Sequence, residues 1–287
     1  MTELTINETL AEGMTRQWNV KNLVYAGETA YQKVVIGHTA HGVTLFCGDE
    51  RQSSELSQLT YHEALTIPAF LLADQLRNVL IIGSSEGVAS QLAIHAGAVH
   101  VDHVDIDAEV VKLCAKHLPY GYTQEELAAA EQREGPIKVH YEDGWRFLAE
   151  ASEGSVLYDV IIVDLPDETE DDEAQHNRLY GTTFLTMCKK VLAPGGIIAV
   201  QAGCPTMWRN ATLQRAWHRF HQMFGNVTYF GSDEHEWSFL FGRVDSLADA
   251  EATMAARLQT LSYRPASIDL LTLRGCTVAP YLARHQR

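Results

Sequence analysis

The sequence predicts an α/β fold, a mostly parallel sheet covered by helices, with a small β-rich unit ahead of it. Three observations carry that prediction. Continuously apolar runs such as VIIV (residues 160–163) and IIAV (197–200) suit strands buried on both faces of a parallel sheet. From residue 79 onward such runs alternate with helically spaced stretches, the alternation that builds crossover units. Ahead of them, residues 34–36 and 43–46 flank a turn rich in Gly and His, which is the pattern of a β-hairpin.

At 287 residues the chain is long enough for one large domain with an appendage. Residues 1–57 are expected to form the β-rich N-terminal domain and residues 58–287 the larger α/β domain. LTYHEALTIPAFLLADQL (59–76) has helical spacing and leads into a strand at 79–82. Residues 88–95 then read as a helix, 100–106 as a strand and 108–117 as a helix. PYGYTQEELAAAEQREGP (119–136) is polar and reads as a surface excursion. Further strands are expected at 137–141, 160–163 and 197–201. Near the end, VTYFG (227–231) and WSFLFGR (237–243) read as a last strand pair, and residues 246–261 as a helix.

The formal net charge of -15 argues against a nucleic-acid partner, because phosphate contacts need concentrated Lys and Arg. A cationic small molecule suits it better. No run approaches the roughly 18 apolar residues of a membrane span, and the N-terminus has no signal-like apolar core, so a cytoplasmic protein without membrane attachment is expected. The five cysteines are scattered with no C-x-x-C spacing, which points to neither a disulfide framework nor a metal site.

The most informative stretch is VLIIGSSEGVASQLAIHAGAVHVDHVDID (79–107). A strand entering a turn bracketed by Gly83 and Gly87, then a helix, brings a crowded backbone to the carboxyl edge of a sheet, where such folds bind ligands. Asp105 follows Gly83 at about the 20-residue offset from which an acid reaches a ribose hydroxyl. The pattern is not G-x-G-x-x-G, since Ser85 stands at the middle glycine. Glu86 in the turn repels phosphate and attracts an ammonium or sulfonium, which favours S-adenosylmethionine or its decarboxylated form.

Tyr31-Gln32, LFCGDERQSSE, YHE (Tyr61 to Glu63), VLIIG, VDID, EDGWRFL, YDVIIVDLPD and LAPGGIIAVQ follow one another in an order that resembles the spermidine synthase family, the polyamine aminopropyltransferases, over residues 31–241. The resemblance implies a Rossmann-like domain of the class I methyltransferase type behind a small N-terminal β-domain. It also implies aminopropyl transfer from decarboxylated S-adenosylmethionine to a small-molecule amine, giving methylthioadenosine. Position by position, it implies that Gln32 contacts the methylthioadenosine part, Asp105 the ribose, and Asp143 with Gly144 the adenine edge. Glu86 stands where the family holds the aminopropyl ammonium, and Asp164 stands at the catalytic aspartate. Tyr61, His62 and Asp167 match positions beside the amine. The family's habit of pairing through the β-domain implies a homodimer or homotetramer.

The chemistry needs such residues. An amine attacks carbon only when neutral, so carboxylates must bind its ammonium form and then take a proton; no metal is required. Plainer roles exist beside these. Asp105 would cap the helix near Ala108, Tyr61 and His62 would be satisfied core residues, and Asp164 and Asp167 solvated strand-end acids. Trp145 and Trp237 read as core, and DETEDDE from Asp167 onward as a solvated loop.

Three departures from the family pattern bear on the acceptor. G-S-S-E-G-V replaces G-G-G-D-G-G, DETEDDEAQHNRLYG replaces the family's D-P-x-G-P-A gate, and SDEHEWSF replaces its late tyrosine loop. Glu234 and Glu236 are expected to serve a different amine there. The same scaffold also admits methyl or aminocarboxypropyl transfer from intact S-adenosylmethionine, or nucleoside binding without turnover.

Overall fold

β1 (Leu4–Ala11) and β2 (Met14–Val20) pair as an antiparallel hairpin. β3 (Asn22–Glu28), β4 (Lys33–Thr39), β5 (Gly42–Cys47) and β6 (Glu50–Ser54) form a four-stranded antiparallel sheet in chain order. The computed structural model describes residues 4–169, 175–232 and 234–285. Of these six strands the sequence pattern singles out only β4 and β5. Side chains alternate across a strand, and β4 uses both faces. Val34 and Ile36 pack with Leu45 against Val110 and Cys114 of the α/β half, while Val35 joins Phe46, Trp18 and Val20 under the hairpin.

α1 (Gln58–Leu72) is buried without interruption from His62 to Leu72; a helix covered on all sides needs no polar stripe. The α/β succession follows as β7 (Asn78–Gly83), α2 (Val88–Ala96), β8 (His100–Asp105), α3 (Ala108–His117), α4 (Gln124–Glu131), β9 (Ile137–Tyr141), α5 (Gly144–Ala151) and β10 (Tyr158–Asp164). After a 3-10 turn (Gln175–Tyr180) come α6 (Thr182–Val191), β11 (Leu192–Gln201), α7 (Ala211–Met223), β12 (Asn226–Gly231) and β13 (Ser238–Arg243). α8 (Ala250–Leu258), α9 (Leu270–Gly275) and α10 (Tyr281–Arg284) close the described chain.

β7 to β13 form one seven-stranded sheet of order β12-β13-β11-β10-β7-β8-β9. β9, β8, β7, β10 and β11 run parallel, and β13 and β12 are antiparallel additions at one edge. The central strands divide their side chains between two layers. Val79, Ile81, Val160 and Ile162 face α1, α2 and α8, whereas Leu80, Ile82, Ile161 and Val163 face α5, α6 and α7. All eight are buried, and each contributes roughly 1.5–3 kcal/mol of hydrophobic stabilisation. This confirms the two-sided burial read from the apolar runs.

One reading needs correction. Residues 119–136 are not a simple surface excursion. Thr123 caps α4 in a reciprocal capping box with Glu126, and Tyr122, Leu127 and Ala130 are buried against Val111 and Val139. The polar residues on the outer side mask that face in the sequence. Of the DETEDDE run, residues 170–173 lie outside the described residues. No helix among the described residues is long and apolar enough to cross a membrane.

Candidate active site

The strand order reverses direction between β7 and β10, and at such a switch point the connections diverge and leave a crevice beyond the carboxyl ends. A cavity of about 380 Å³ lies there. Gly83 ends β7 at φ 84°, and a β-carbon on it would fall 2.0 Å from the Asp164 carbonyl oxygen. Gly87 has φ 79°, and its β-carbon would strike the Tyr122 ring at 2.3 Å. These two positions therefore demand glycine. The middle of the turn does not; Ser84 itself takes φ 64°, a left-handed geometry that costs a non-glycine residue about 1 kcal/mol. Its amide donates to the Asp164 carbonyl at 3.2 Å, which ties the turn to β10.

His103 supports the turn from beneath. Its Nε2 lies 2.9 Å from the Gly83 carbonyl and its Nδ1 3.0 Å from the Tyr122 hydroxyl. A carbonyl only accepts, so Nε2 carries the proton and Nδ1 accepts from the tyrosine. Burial depresses this imidazole to about 4, which keeps it neutral.

On the β8 side of the cavity Asp105 and Asp107 are held by uncharged donors. Asp105 accepts from Ser85 Oγ at 2.6 Å and from the Asp107 amide at 2.8 Å, and burial pushes it up to about 6. Asp107, not Asp105, caps α3, taking the amides of Glu109 and Val110 on Oδ1. Its Oδ2 accepts from Thr29 Oγ1 at 2.6 Å and Gln32 Nε2 at 3.3 Å, so one carboxylate joins the N-terminal sheet to the parallel one. Asp143 caps α5 through the Trp145 amide, 2.8 Å, and pairs with Arg178. Gly144 leaves room beside Ile82, whose Cγ2 would lie 2.6 Å from an added β-carbon. Glu86 is 7% exposed and lines the cavity, yet its carboxylate accepts no hydrogen bond from the described residues.

Asp164 stands at the centre, at the end of β10. The Tyr61 hydroxyl donates to its Oδ1 at 2.5 Å, and His62 Nε2 lies 3.9 Å from Oδ2. His62 Nδ1 sits 2.7 Å from the Gln58 carbonyl and therefore donates to it, which turns Nε2 towards Ser84 and Asp164. Burial raises the Asp164 carboxyl above the usual carboxylate range, the nearby His62 opposes this, and the charge of Glu86 adds to it. The result is a stronger base than an ordinary aspartate. Tyr61 is raised well above its usual range, by burial first and the Asp164 charge second, and so remains a donor.

Beyond Asp164, towards β11, the acids meet arginines. Asp167 accepts from Gln201 and lies 3.5 Å from Arg209. Glu168 is clamped by Arg215 and Arg219 at 3.0 and 2.7 Å, so it is no solvated loop acid. Glu236 is taken by Arg16 through both carboxylate oxygens and lies 3.5 Å from Arg51. The expectation that Glu236 serves an amine therefore fails, because two guanidinium groups already occupy it. Glu234 is exposed and is absent from the cavity wall. Trp237 is not purely core either; it lines the cavity, edge-on to Tyr61, with Arg51 over its ring. Trp145 packs on Phe184, as a core residue should.

The structure thus gathers Gln32, Tyr61, His62, Gly83, Glu86, Asp105, Asp143, Gly144, Asp164 and Asp167 around one cavity, and Glu234 and Glu236 do not join them. Sequence reasoning missed Asp107, Ser85, Gln201, Arg51 and Arg209. Asp107 had a local signal, an acid directly before a helix start; the two arginines had none.

A glycine turn at the switch point, with an acid at the end of the next strand, defines a Rossmann-like, nucleoside-binding class of protein. Comparison with known proteins narrows the class. The Spermine/spermidine synthase domain matches residues 58–231, and the chain belongs to that family. It is 29% identical over 232 residues to a polyamine aminopropyltransferase of Prochlorococcus marinus (strain MIT 9313), covering 78% of this chain and 77% of the relative. It is 35% identical over 209 residues to polyamine aminopropyltransferase 2 of Hyperthermus butylicus, covering 70% of this chain and 63% of that relative. In fold it matches a crystal structure of a spermidine synthase in complex with the transition-state analogue AdoDATO. The TM-score is 0.82 at 16% identity, with 98% of this chain and 94% of the other covered.

Proposed function

We propose that this chain transfers the aminopropyl group of decarboxylated S-adenosylmethionine to the nitrogen of a small amine, releasing methylthioadenosine. The observation that carries the reading is Glu86, 7% exposed, whose carboxylate lines the switch-point cavity without a partner among the described residues. A buried charge is costly unless paired, and the donor's terminal ammonium supplies the pair. Intact S-adenosylmethionine would bring its own carboxylate to the same place, which favours the decarboxylated donor.

The remaining donor contacts follow from position. Asp105 accepts the ribose hydroxyls, Gln32 meets the nucleoside from the N-terminal sheet, and Asp143 with Gly144 borders the base. The amine lone pair attacks the carbon beside the sulfonium; the C–N bond forms as the C–S bond breaks, and the sulfur keeps that electron pair as a neutral thioether. Asp164 frees that lone pair by taking one proton from the amine's ammonium form before the attack, and the product nitrogen remains a secondary ammonium. Tyr61 holds Oδ1 in place so that Oδ2 receives the proton, and Asp167 borders the amine's path. Fixing nucleophile and electrophile in contact supplies up to roughly 7–11 kcal/mol of barrier lowering.

The division into residues 1–57 and 58–287, placement in the cytoplasm, and assembly as a homodimer or homotetramer belong to the same reading. The change of sheet at Ser57 supports the first, and apolar Leu23 and Val24, exposed on the edge strand β3, support the last. The test is incubation of purified protein with either donor and a panel of amines, with product masses read out. A mass gain of one aminopropyl unit is expected only with the decarboxylated donor; a methyl gain, or no product from any amine, overturns the reading.

A further inference from the structure

The cavity wall beyond Asp164 is not what a simple polycation requires. A diamine held by its charges needs carboxylates at both ends, and a guanidinium on its path repels it. Here Arg51 and Arg209 line that half beside Glu50 and Asp167. Between Asp164 and Asp105 the wall carries acids and no Lys or Arg, so the cations are confined to the acceptor half.

Arg51 is 6% exposed, wedged between Trp18 and Trp237 at 5.5 and 4.7 Å from their ring centroids. It shares Glu236 with Arg16, which takes both oxygens of that carboxylate, and its Nη1 reaches Ser57 at 3.3 Å. Its buried Nε has no hydrogen-bond partner among the described residues. Among the described residues its Nη groups meet only Ser57 at 3.3 Å and Glu236 at 3.5 Å, so the fork keeps donors to spare, and a guanidinium fork matches a carboxylate. Arg209, also on the cavity wall, touches Asp167 only at 3.5 Å, beyond a normal charge-assisted hydrogen bond, so among the described residues its donors also remain available. Glu50 is exposed by area, yet protein crowded around its carboxyl withdraws enough solvent to raise it, with the charge of Asp167 adding to the effect. No side chain hydrogen-bonds Glu50 among the described residues.

We propose that the acceptor is a diamine that also carries a carboxylate, an α,ω-diamino acid. Its ω-amine meets Asp164 and Tyr61, its carboxylate meets Arg51 and Arg209, and its α-ammonium meets Glu50. This rests on the aminopropyl-transfer reading and names the acceptor for that same site. The ω-nitrogen gains the aminopropyl carbon and loses a proton to Asp164, while the carboxylate takes no part in bond making.

Ornithine and 1,4-diaminobutane are a matched pair, since they differ only in the carboxylate, and lysine with 1,5-diaminopentane is another. With decarboxylated S-adenosylmethionine, at least one diamino acid is expected to exceed its matched diamine in kcat/KM by about tenfold or more, one charge-assisted contact being worth about that factor. Arg209→Gln is expected to cut that ratio by about tenfold without moving the melting temperature. Diamines consumed as well as or better than their carboxylated partners overturn this inference and leave aminopropyl transfer standing. A ratio unchanged by Arg209→Gln also overturns it. If no amine of either kind gains an aminopropyl group, the parent reading falls and this one with it.

Discussion

On the β8 side of the cavity Asp105 and Asp107 rest on hydroxyls, an amide side chain and backbone amides, and Glu86 on no side chain at all. On the β11 side Asp167, Glu168 and Glu236 each stand against arginine. Neutral donors orient a carboxylate and leave its charge in place; guanidinium groups cancel it. The first arrangement retains a negative field for a cationic ligand, and the second builds a surface of mixed sign. An acidic net charge alone predicts attraction of cations throughout, and the contrast between the two halves teaches that pairing, not acid content, decides what each half attracts.

The largest expected effect lies on the boundary between them. Asp164→Asn removes the proton acceptor, and turnover should fall by about 10²–10⁴-fold while methylthioadenosine binding, read by calorimetry, stays within a few fold. Turnover that survives the change would remove Asp164 from its role.

Within the β8 side, Glu86→Gln separates charge from shape. The affinity for the decarboxylated donor should drop by roughly ten- to a hundredfold, whereas methylthioadenosine, which lacks the ammonium, should bind as well as before or better. Equal losses for the two ligands would mean that Glu86 shapes the turn and does not pair a cation.

Asp105 offers a pH test with a fixed sign. Its folded value is raised from 3.8 to about 6, so the folded protein keeps a proton that the unfolded chain has already released. Its contribution to stability is therefore complete below about 4 and is lost as pH rises through about 6. Asp105→Asn should stabilise the ligand-free protein above pH 6 by on the order of 2 kcal/mol, read as a higher melting temperature, while weakening donor binding. Donor affinity of the unmodified protein should fall as the pH drops below about 6, because a protonated carboxyl loses its capacity to accept both ribose hydroxyls. A flat stability difference between the two proteins from pH 4 to 7 contradicts the assignment.

The smallest effect belongs to the β11 side. Glu236→Gln leaves Arg16 and Arg51 without their shared counter-ion, at a cost of about 1 kcal/mol, and sharpens the excess of positive charge. Thermal denaturation reads the cost, and the preference for a carboxylated acceptor should rise modestly. A fall in that preference would place Glu236 itself on the substrate.

Much of the β8 side was legible from the sequence because its chemistry is local. Gly83, Glu86 and Asp105 lie within one strand–turn–helix–strand unit, and the apolar runs of β7 and β10 announce their burial residue by residue. The choice between Asp105 and Asp107 as the cap of α3 was harder, since two acids stand two residues apart. Asp105 still ends β8, and Asp107 is the residue next to the first helical turn. α4 escaped because its buried Leu127 and Ala130 are interleaved with polar neighbours. The β11 side was largely illegible. Arg16 and Glu236 are 220 residues apart, and Arg51 and Trp237 are nearly as distant; no period or motif announces a pairing made only by the closing of the N-terminal strands over the sheet. Glu236 was accordingly misread as free.

Asp107 gives one oxygen to α3 and the other to Thr29 and Gln32, so one side chain rivets the meander to the crossover sheet beside the apolar contacts of Val34 and Ile36 with Val110 and Cys114. Glu50 and Arg51 ride on the meander, whereas Glu86 and Asp105 ride on the sheet. Exchanging residues 1–57 between homologues that retain Asp107, Thr29 and Gln32 should therefore alter the acceptor preference that Glu50 and Arg51 set, while Asp164, Arg209, Glu86 and Asp105 stay with the host.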